Sequence, residues 1–233
     1  MDKTIGRRDA IAVLGTAGAA LAFGCGEGTP TSPTQTTAGT APTTGGTTNA
    51  ACAVTPSETA GPFPSLKDLF RSDIRENRPG APLTLTLTVV NTSSGCSPVA
   101  GANVETWQCD AAGNYSEYGT QRSETYLRGI QTTDANGRVT FTTIYPGWYQ
   151  GRATHIHVEV VRNGTSVKVT QIAFPESTNA AVYGSGIYTS RGQNPTSNAR
   201  DDIFADSLSS ELATVSGDAA SGLTASFQVN IVA

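Results

Sequence analysis

The feature that most constrains the fold is the alternation of apolar and polar residues over 83–90, which reads Leu-Thr-Leu-Thr-Leu-Thr-Val-Val. A period of two is the repeat of a β-strand with one buried face. Stretches rich in β-branched residues, separated by turn-forming residues, predict further strands. These stretches are 103–108, 138–143, 155–160, 166–174 and 223–232. The sequence therefore predicts an all-β fold, a single antiparallel β-sandwich, with one helix over 201–213.

The first 24 residues resemble an export signal. Arg7 and Arg8 precede a short, weakly apolar stretch over 10–24, which is too short to span a membrane and is typical of a signal peptide. The arginine pair resembles a twin-arginine signal. Cys25 follows at the position of the lipidated cysteine of bacterial lipoproteins. We therefore predict a signal peptide over 1–24, export to the cell surface or periplasm, and a lipid anchor at Cys25.

Composition divides the rest of the chain into a linker and one domain. Residues 25–51 are mostly Thr, Gly, Ala and Pro and cannot bury enough apolar surface to fold, so they predict a flexible linker. Residues 52–233 are enough for one domain with a single core. The net charge is −4 and basic residues do not cluster, which argues against a nucleic-acid partner.

Three cysteines belong to the predicted domain: Cys52, Cys96 and Cys109. In an oxidising compartment two of them can form a disulfide. Cys96 and Cys109 flank one predicted strand and lie too far apart along an extended segment to bond. They pair only if the chain folds back between them, and pairing with Cys52 is equally open. The sequence leaves the connectivity undecided.

The two histidines of the chain, His155 and His157, stand one residue apart. On the predicted strand, residues i and i+2 face the same side, so both imidazoles point at one place. Two neutral imidazoles that converge are suited to zinc, copper, iron or nickel. Two exposed or hydrogen-bonded histidines on a strand are the plainer interpretation, so the neighbouring residues have to decide between the two.

Four blocks of sequence resemble the intradiol ring-cleavage dioxygenases and occur in the order of that family. The blocks are 55–63, 102–115, 126–134 and 141–160. The protocatechuate 3,4-dioxygenase branch and its secreted relatives are most similar, because the helical N-terminal domain typical of catechol 1,2-dioxygenases is missing. The resemblance implies an enzyme that uses dioxygen to cleave a catechol-type ring between the two hydroxyl-bearing carbons and yields a cis,cis-muconate-type diacid.

The resemblance also implies one mononuclear non-haem iron(III), held by two tyrosinates and two imidazoles, and no organic cofactor. Carried over by motif, the ligands are Tyr115, Tyr149, His155 and His157. A phenol with a pKa of about 10 can lose its proton when such a hard, highly charged ion binds. Taken singly, Tyr115 is more typical of a strand-end tyrosine and Tyr149 of a core aromatic residue.

Catalytic roles are implied for Tyr149, Arg152 and Gln171. Tyr149 would leave the metal and accept a substrate proton. Arg152 would stabilise negative charge during ring cleavage, because a guanidinium stays protonated, and Gln171 would contact substrate or oxygen. Without the resemblance, Arg152 is more typical of a surface ion pair. Gln171 reads equally well as an outward-facing strand residue.

The predicted substrate is a neutral catechol or hydroxyquinol. Phe63 stands where several members of the family have a tyrosine, which removes a hydroxyl able to bond a ring substituent. The loops expected around the substrate, 57–64, 116–127 and 180–198, carry no cluster of Lys or Arg for a carboxylate. Dioxygen is the second substrate, and assembly into a homo-oligomer stays open.

Two other classes of protein compete with this interpretation. Residues 133–149 also resemble transthyretin-like and adhesin domains, which are non-catalytic surface sandwiches. Such domains have no need for Tyr115, Arg152 and the His-x-His pair together. A cupin-like metalloenzyme generally needs a third histidine, which this chain lacks. A zinc-dependent hydrolase that binds its metal through both histidines and a carboxylate would have no use for the two tyrosines.

Overall fold

The structure is a computed structural model that describes residues 52–233. The predicted signal peptide, Cys25 and the linker over 25–51 lie outside the described residues. Within 52–233, no helix is long and apolar enough to cross a membrane.

Strands dominate the described part of the chain, with one α-helix between the seventh and eighth of them. In chain order the elements are β1 (Pro82–Asn91), β2 (Ser97–Pro98), β3 (Asn103–Trp107), β4 (Arg128–Thr132), β5 (Arg138–Ile144), β6 (His155–Arg162), β7 (Thr165–Ala173), α1 (Glu176–Tyr183), β8 (Thr214–Asp218) and β9 (Gly222–Ile231).

The strands form two sheets, which confirms the all-β sandwich. One sheet has the order β2-β1-β9-β8 with β5 also paired to β1, and the other has the order β4-β3-β6-β7. The pairing of β1 with β9 is parallel, from Leu83↔Leu223 to Asn91↔Ile231, and is the exception to the predicted antiparallel arrangement, which the other strand pairs follow. A parallel pair needs a long connection, and here most of the domain lies between the two strands.

The core lies between the sheets and explains the alternation in β1. The inward-facing residues of β1 are at most 1% exposed: Leu83, Leu85, Leu87 and Val89. Burying each of these side chains contributes roughly 1.5–3 kcal/mol. In the same core cluster, β6 contributes Ile156, Val158 and Val160. Because residues alternate along a strand, His155 and His157 of β6 must face the opposite side of their sheet.

The predicted helix over 201–213 was wrong, and α1 was not predicted. Residues 202–207 form turns, followed by a short 3-10 helix at Leu208–Ser210. The carboxylates of Asp201 and Glu211 are fully buried and bind partners elsewhere in the fold, including Arg152 and Thr170. These tertiary contacts outweigh a helical pattern whose energy per residue is small.

The structure also decides the disulfide. Cys52 is bonded to Cys96, with their Cα atoms 5.7 Å apart, and Cys109 is a buried free thiol. Burial raises the pKa of Cys109 to about 12, so the thiol stays protonated and unreactive at neutral pH. The bond ties the start of the domain to the turn between β1 and β2.

Candidate functional site

The two histidines lie at the start of β6 and share one face of the four-stranded sheet. Main-chain register places Trp107 of β3 and Gln171 of β7 directly opposite His157, and directly opposed residues share a face. The Nε2 atoms of His155 and His157 are 3.1 Å apart. The pattern His-x-His on a strand therefore brings both imidazoles to one point, as the sequence predicts.

Both imidazoles are neutral, and that of His155 presents a nitrogen lone pair to the site. Burial lowers the pKa of His155 to about 4 and that of His157 well below its usual range, and the charge of Arg152 acts in the same direction. His155 Nδ1 lies 2.7 Å from the carbonyl of Ala153. That bond requires the proton on Nδ1, so His155 Nε2 is free to bind a cation.

The ring of His157 is held in place by packing, whereas that of His155 is held by a hydrogen bond. The indole of Trp107 stacks on its ring at 4.8 Å with an interplanar angle of 2°. A Cβ built on Gly61 would stand 3.1 Å from His157 Cε1, and Gly61 has a φ of +68°. Only glycine combines that conformation with so close an approach. His157 Nδ1 has no hydrogen-bond partner among residues 52–233.

Tyr115 and Tyr149 approach the histidines from two connections, 108–127 and 145–154. The hydroxyl of Tyr115 lies 3.4 Å from His155 Nε2, and the two phenol rings are 5.8 Å apart. Burial raises the pKa of Tyr115 well above its usual value. Burial also raises the pKa of Tyr149, where Arg152 opposes the shift. Without a cation, both phenols are therefore protonated.

Buried charges fix the connection that carries Tyr115. Arg128 is 1% exposed and lies 3.4 Å from the carboxylate of Glu117. Its guanidinium donates to the main-chain carbonyls of Ser116 and Phe63 at 2.6 and 3.0 Å. Glu117 in turn accepts from the amide of Leu66 and has a φ of +69°, which is rare for a residue with a side chain. Arg128 thus joins the Tyr115 connection to the N-terminal arm, residues 55–66.

Arg152 stands beside Tyr149 with its guanidinium surrounded by acceptors. Its Nη1 lies 3.5 Å from the Tyr149 hydroxyl, and its Nη2 donates to Gln171 Oε1 at 2.6 Å. Its Nε donates to Asp201 at 2.8 Å. Gln171 also donates to the carbonyl of Thr59 in the N-terminal arm. The alternative interpretation of Arg152 was a surface ion pair. Arg152 does pair with a carboxylate, but that of Asp201 is buried and not at the surface.

The donor set limits which metal can bind. Within residues 52–233, no three His, Cys, Asp or Glu side chains come together in a metal-binding group. A site at the two imidazoles must therefore use other donors, and the Tyr115 hydroxyl is within 3.4 Å of His155 Nε2. Two imidazole nitrogens and two phenol oxygens suit a hard trivalent ion that can displace phenol protons. These residues fit iron(III).

An open cavity of about 210 Å³ adjoins the two tyrosines. Its walls are Phe63, Tyr115, Tyr118, Tyr149 and the stretches 113–114 and 119–121, none of them charged. Phe63 stacks on Tyr115 at 4.7 Å and meets Tyr149 edge-on at 5.9 Å. Two of the three loops expected around the substrate line this cavity. The third, 180–198, contributes no residue to its walls, and its Asn194 donates to the carbonyl of Arg152.

The structure brings all six predicted site residues together: Tyr115, Tyr149, Arg152, His155, His157 and Gln171. Arg128 and Asp201 also belong to this site, although no sequence pattern predicted a role for them. Arg128 lies inside the block 126–134, so its position in a motif was a usable signal. Asp201 carried no local signal, because its partner Arg152 is 49 residues away in the chain.

Comparisons with known proteins identify relatives of this chain. A family model described as a dioxygenase matches residues 56–206. A solved intradiol ring-cleavage dioxygenase from Tetranychus urticae is 32% identical, with 78% of this chain and 95% of that chain covered and a TM-score of 0.69. The dioxygenase domain of a carbohydrate-binding fusion protein from Streptomyces sp. SirexAA-E is 30% identical, with 76% and 97% covered and a TM-score of 0.58.

Curated relatives match over shorter stretches. The protocatechuate 3,4-dioxygenase beta chain of Burkholderia cepacia is 32% identical over 122 residues, covering 46% of this chain and 51% of that one. The catechol 1,2-dioxygenase of Candida albicans is 33% identical over 108 residues, covering 37% and 36%. The match therefore spans about a third to a half of these relatives. Since the family model covers most of the described domain and the Tetranychus urticae structure matches nearly end to end, the chain belongs to the intradiol ring-cleavage dioxygenase family.

Proposed function

We propose that the protein is an exported non-haem iron(III) dioxygenase that cleaves a catechol-type ring between its two hydroxyl-bearing carbons and releases a cis,cis-muconate-type diacid. One observation carries the proposal. The Nε2 atoms of His155 and His157 lie 3.1 Å apart, with the Tyr115 hydroxyl 3.4 Å from one of them. A non-catalytic surface sandwich has no reason to bury this group of polar atoms without further partners.

The proposed ligands are Tyr115, Tyr149, His155 and His157. Iron(III) held by them would activate the bound catechol towards dioxygen. The metal-free protein keeps both phenols protonated, so metal binding and loss of the phenol protons would occur together. The neutral imidazoles require no proton loss before they bind.

The protein side of the reaction centres on Tyr149 and Arg152. Tyr149 is only partly buried and borders the cavity, so a substrate can reach its oxygen. As a phenolate, Tyr149 Oη would accept a proton from a catechol hydroxyl. Arg152 Nη1, 3.5 Å away, stabilises the negative charge on that oxygen and on the ring oxygens. Gln171 holds the guanidinium in place at 2.6 Å.

The substrate we propose is a neutral catechol or hydroxyquinol. The walls of the cavity hold no charged side chain, and a carboxylate taken from water into such a place costs free energy unless it is paired. Arg191 approaches the rim but is engaged elsewhere: it donates to the carbonyl of Ala112 and lies over the Trp148 ring at 4.3 Å. The Phe63 ring offers no hydroxyl to a ring substituent.

The disulfide supports the proposal that the protein is exported. Cys52 and Cys96 are bonded, and such bonds form and persist in oxidising compartments outside the cytosol. Export would use the twin-arginine signal over 1–24, with the lipid anchor at Cys25 and the linker over 25–51 holding the domain off the membrane. Labelling with radioactive palmitate in cells, compared between the wild type and Cys25→Ser, tests the anchor.

Absorption and oxygen uptake test the enzyme proposal. The purified protein should contain one iron and show the burgundy to red colour of tyrosinate bound to iron(III). Oxygen uptake is then measured with catechol, hydroxyquinol and protocatechuate. We expect kcat/KM to be at least tenfold higher for a neutral substrate, which corresponds to about 1.4 kcal/mol. A colourless protein with stoichiometric zinc would refute the metal assignment, and a preference for protocatechuate would refute the substrate assignment alone.

A further inference from the structure

We propose that Asp201 is a positioning residue that orients two parts of the active site at once: the guanidinium of Arg152 and the imidazole of His155. The roles of those two residues rest on the proposed function. The contacts that position them do not, because they are hydrogen bonds between groups of the protein itself.

A single carboxylate makes all the contacts. Asp201 is 0% exposed, and its Oδ2 accepts from Arg152 Nε at 2.8 Å and from the amide of Ala153 at 2.5 Å. Its Oδ1 accepts from the amide of Ile203 at 2.9 Å. Three donors share one buried carboxylate, which therefore has little freedom to rotate.

The bond to Ala153 extends to the metal site through one peptide residue. The amide of Ala153 donates to Asp201, and the carbonyl of Ala153 lies 2.7 Å from His155 Nδ1. That carbonyl selects the tautomer in which His155 Nε2 carries the lone pair. A displacement of Ala153 would therefore change both the direction of the His155 ring and the orientation of its lone pair.

The bond to Arg152 determines where the guanidinium points. Nε is bound to Asp201, which directs Nη2 at Gln171 and Nη1 at the Tyr149 hydroxyl. The Arg152 side chain is 15% exposed, so solvent is within its reach. Gln171 alone would leave the guanidinium free to turn about its single remaining strong hydrogen bond.

Asp202, the next residue, provides a matched control. Its side chain is exposed, whereas that of Asp201 is buried. Asp202→Asn removes the same charge one position away and keeps the same chain length. A difference between Asp201→Asn and Asp202→Asn therefore reports the contacts of Asp201 rather than a general change in charge.

The first experiment compares Asp201→Asn, Arg152→Gln, the double variant and Asp202→Asn by kcat, KM and the visible band of the iron protein. We expect Asp201→Asn to lower kcat at least tenfold with KM within threefold, and to shift the band, because His155 is reoriented. In the Arg152→Gln background, the loss of kcat caused by Asp201→Asn should shrink at least threefold, since contacting residues couple. Full additivity of the two losses, or a wild-type kcat, would overturn the proposal.

A second experiment needs neither iron nor activity. In ¹⁵N-labelled metal-free protein, the Arg152 Nε–H resonance should be protected from solvent exchange in the wild type and in Asp202→Asn. In Asp201→Asn it should exchange rapidly. If the wild type binds no iron, the proposed function fails while this measurement still tests the positioning. An unprotected wild-type resonance, or equal protection in Asp201→Asn, would refute the positioning alone.

Asp201→Glu covers the case in which Asp201→Asn does not fold. Glutamate keeps the negative charge and moves it by one methylene, so the ion pair survives in altered geometry. We expect a folded protein with kcat lowered at least threefold and a changed Nε–H resonance. A folded Asp201→Glu protein with wild-type kcat and an unchanged resonance would show that the position of this carboxylate has no influence on the site.

Discussion

The histidine half and the tyrosine half of the site are held in different ways. His155 and His157 lie on β6, where main-chain pairing with β3 and β7 sets their position. Tyr115 and Tyr149 lie on connections without regular structure, where buried side chains bind the main chain instead. Arg128 binds the Tyr115 connection. Arg152 stands beside the Tyr149 hydroxyl.

The difference shows what each kind of element needs in order to aim a side chain. A strand aims residues i and i+2 at one place through its geometry alone. A connection has no such repeat, so each turn needs its own hydrogen bonds. When such a bond is broken in the interior, the remaining donor or acceptor is left without a partner, which lowers the free energy of unfolding by about 1–3 kcal/mol. The tyrosine half should therefore be sensitive to residues that do not touch the metal or the substrate.

The largest effect should come from the histidine half itself. We expect His155→Ala and His157→Ala each to lose nearly all iron and colour, because the chain has no other histidine to replace the missing ligand. The apoprotein should stay folded, since the sheet pairing is made by the main chain. Metal analysis and circular dichroism measure the two properties. Full iron and activity in both variants would place the metal elsewhere.

In the tyrosine half, the largest loss of stability should come from Arg128→Met. It leaves the Glu117 carboxylate without its buried cation, and loss of one partner of a buried pair costs about 3–5 kcal/mol of unfolding free energy. Urea denaturation measures this. Arg78→Met is the control, because Arg78 likewise pairs with a glutamate, Glu124, but that ion pair is partly exposed. Equal losses in the two variants would mean that Arg128 has no special part in holding the connection.

Tyr149→Phe tests the role of Tyr149 separately from that of Tyr115. We expect it to keep part of the iron, shift the visible band and lower kcat/KM by at least about tenfold, or 1.4 kcal/mol, because the proton acceptor is lost. Tyr118→Phe is the control, since Tyr118 borders the same cavity but donates to the carbonyl of Pro64. A variant with an unchanged band would show that Tyr149 is not a ligand.

Gly61→Ala should weaken iron binding at the histidine half of the site, although Gly61 does not lie on β6. A methyl group there would crowd His157 Cε1 at 3.1 Å, so we expect iron affinity to fall by about tenfold, or 1.4 kcal/mol. Gly164→Ala is the control. Gly164 also has a positive φ, +77°, but no heavy atom lies within 4 Å of the added Cβ. Gly164→Ala therefore introduces backbone strain without crowding a neighbour. Competition with a chelator measures the iron affinity of both variants, and equal affinities would show that crowding of His157 has no effect.

The last effect concerns the pH dependence of stability and Glu211, which packs against β7. Burial raises its pKa from 4.5 to about 7, so the fold favours the protonated acid. This contribution to stability is complete below pH 4.5 and is lost as the pH rises through 7. We expect Glu211→Gln to remove a decline of roughly 2–3 kcal/mol in the free energy of unfolding, measured by urea denaturation between pH 4.5 and 7.5. Glu124→Gln, on the surface, should leave the decline unchanged, and a decline that persists in Glu211→Gln would assign it to other groups.

Much of the fold was predictable because its signals are local. The alternation in β1 and the β-branched runs of β5, β6, β7 and β9 each extend over a few residues, and the structure confirms those strands. β4 and β8 were missed. β4 opens with Arg128 and Gly129, and β8 contains Gly217, so neither shows a regular alternation. Pairing with β3 and β9 gives them their extended form.

By itself the sequence determined which residues face which side, because side-chain direction along a strand depends only on neighbours in the chain. The motifs also named the six side chains that meet at the site. Only the tertiary structure decided that β1 and β9 run parallel, that Cys52 pairs with Cys96, and that Asp201 reaches Arg152. Each of these joins residues at least 44 positions apart. Contacts over such separations depend on how the two sheets pack, and no local pattern encodes that packing.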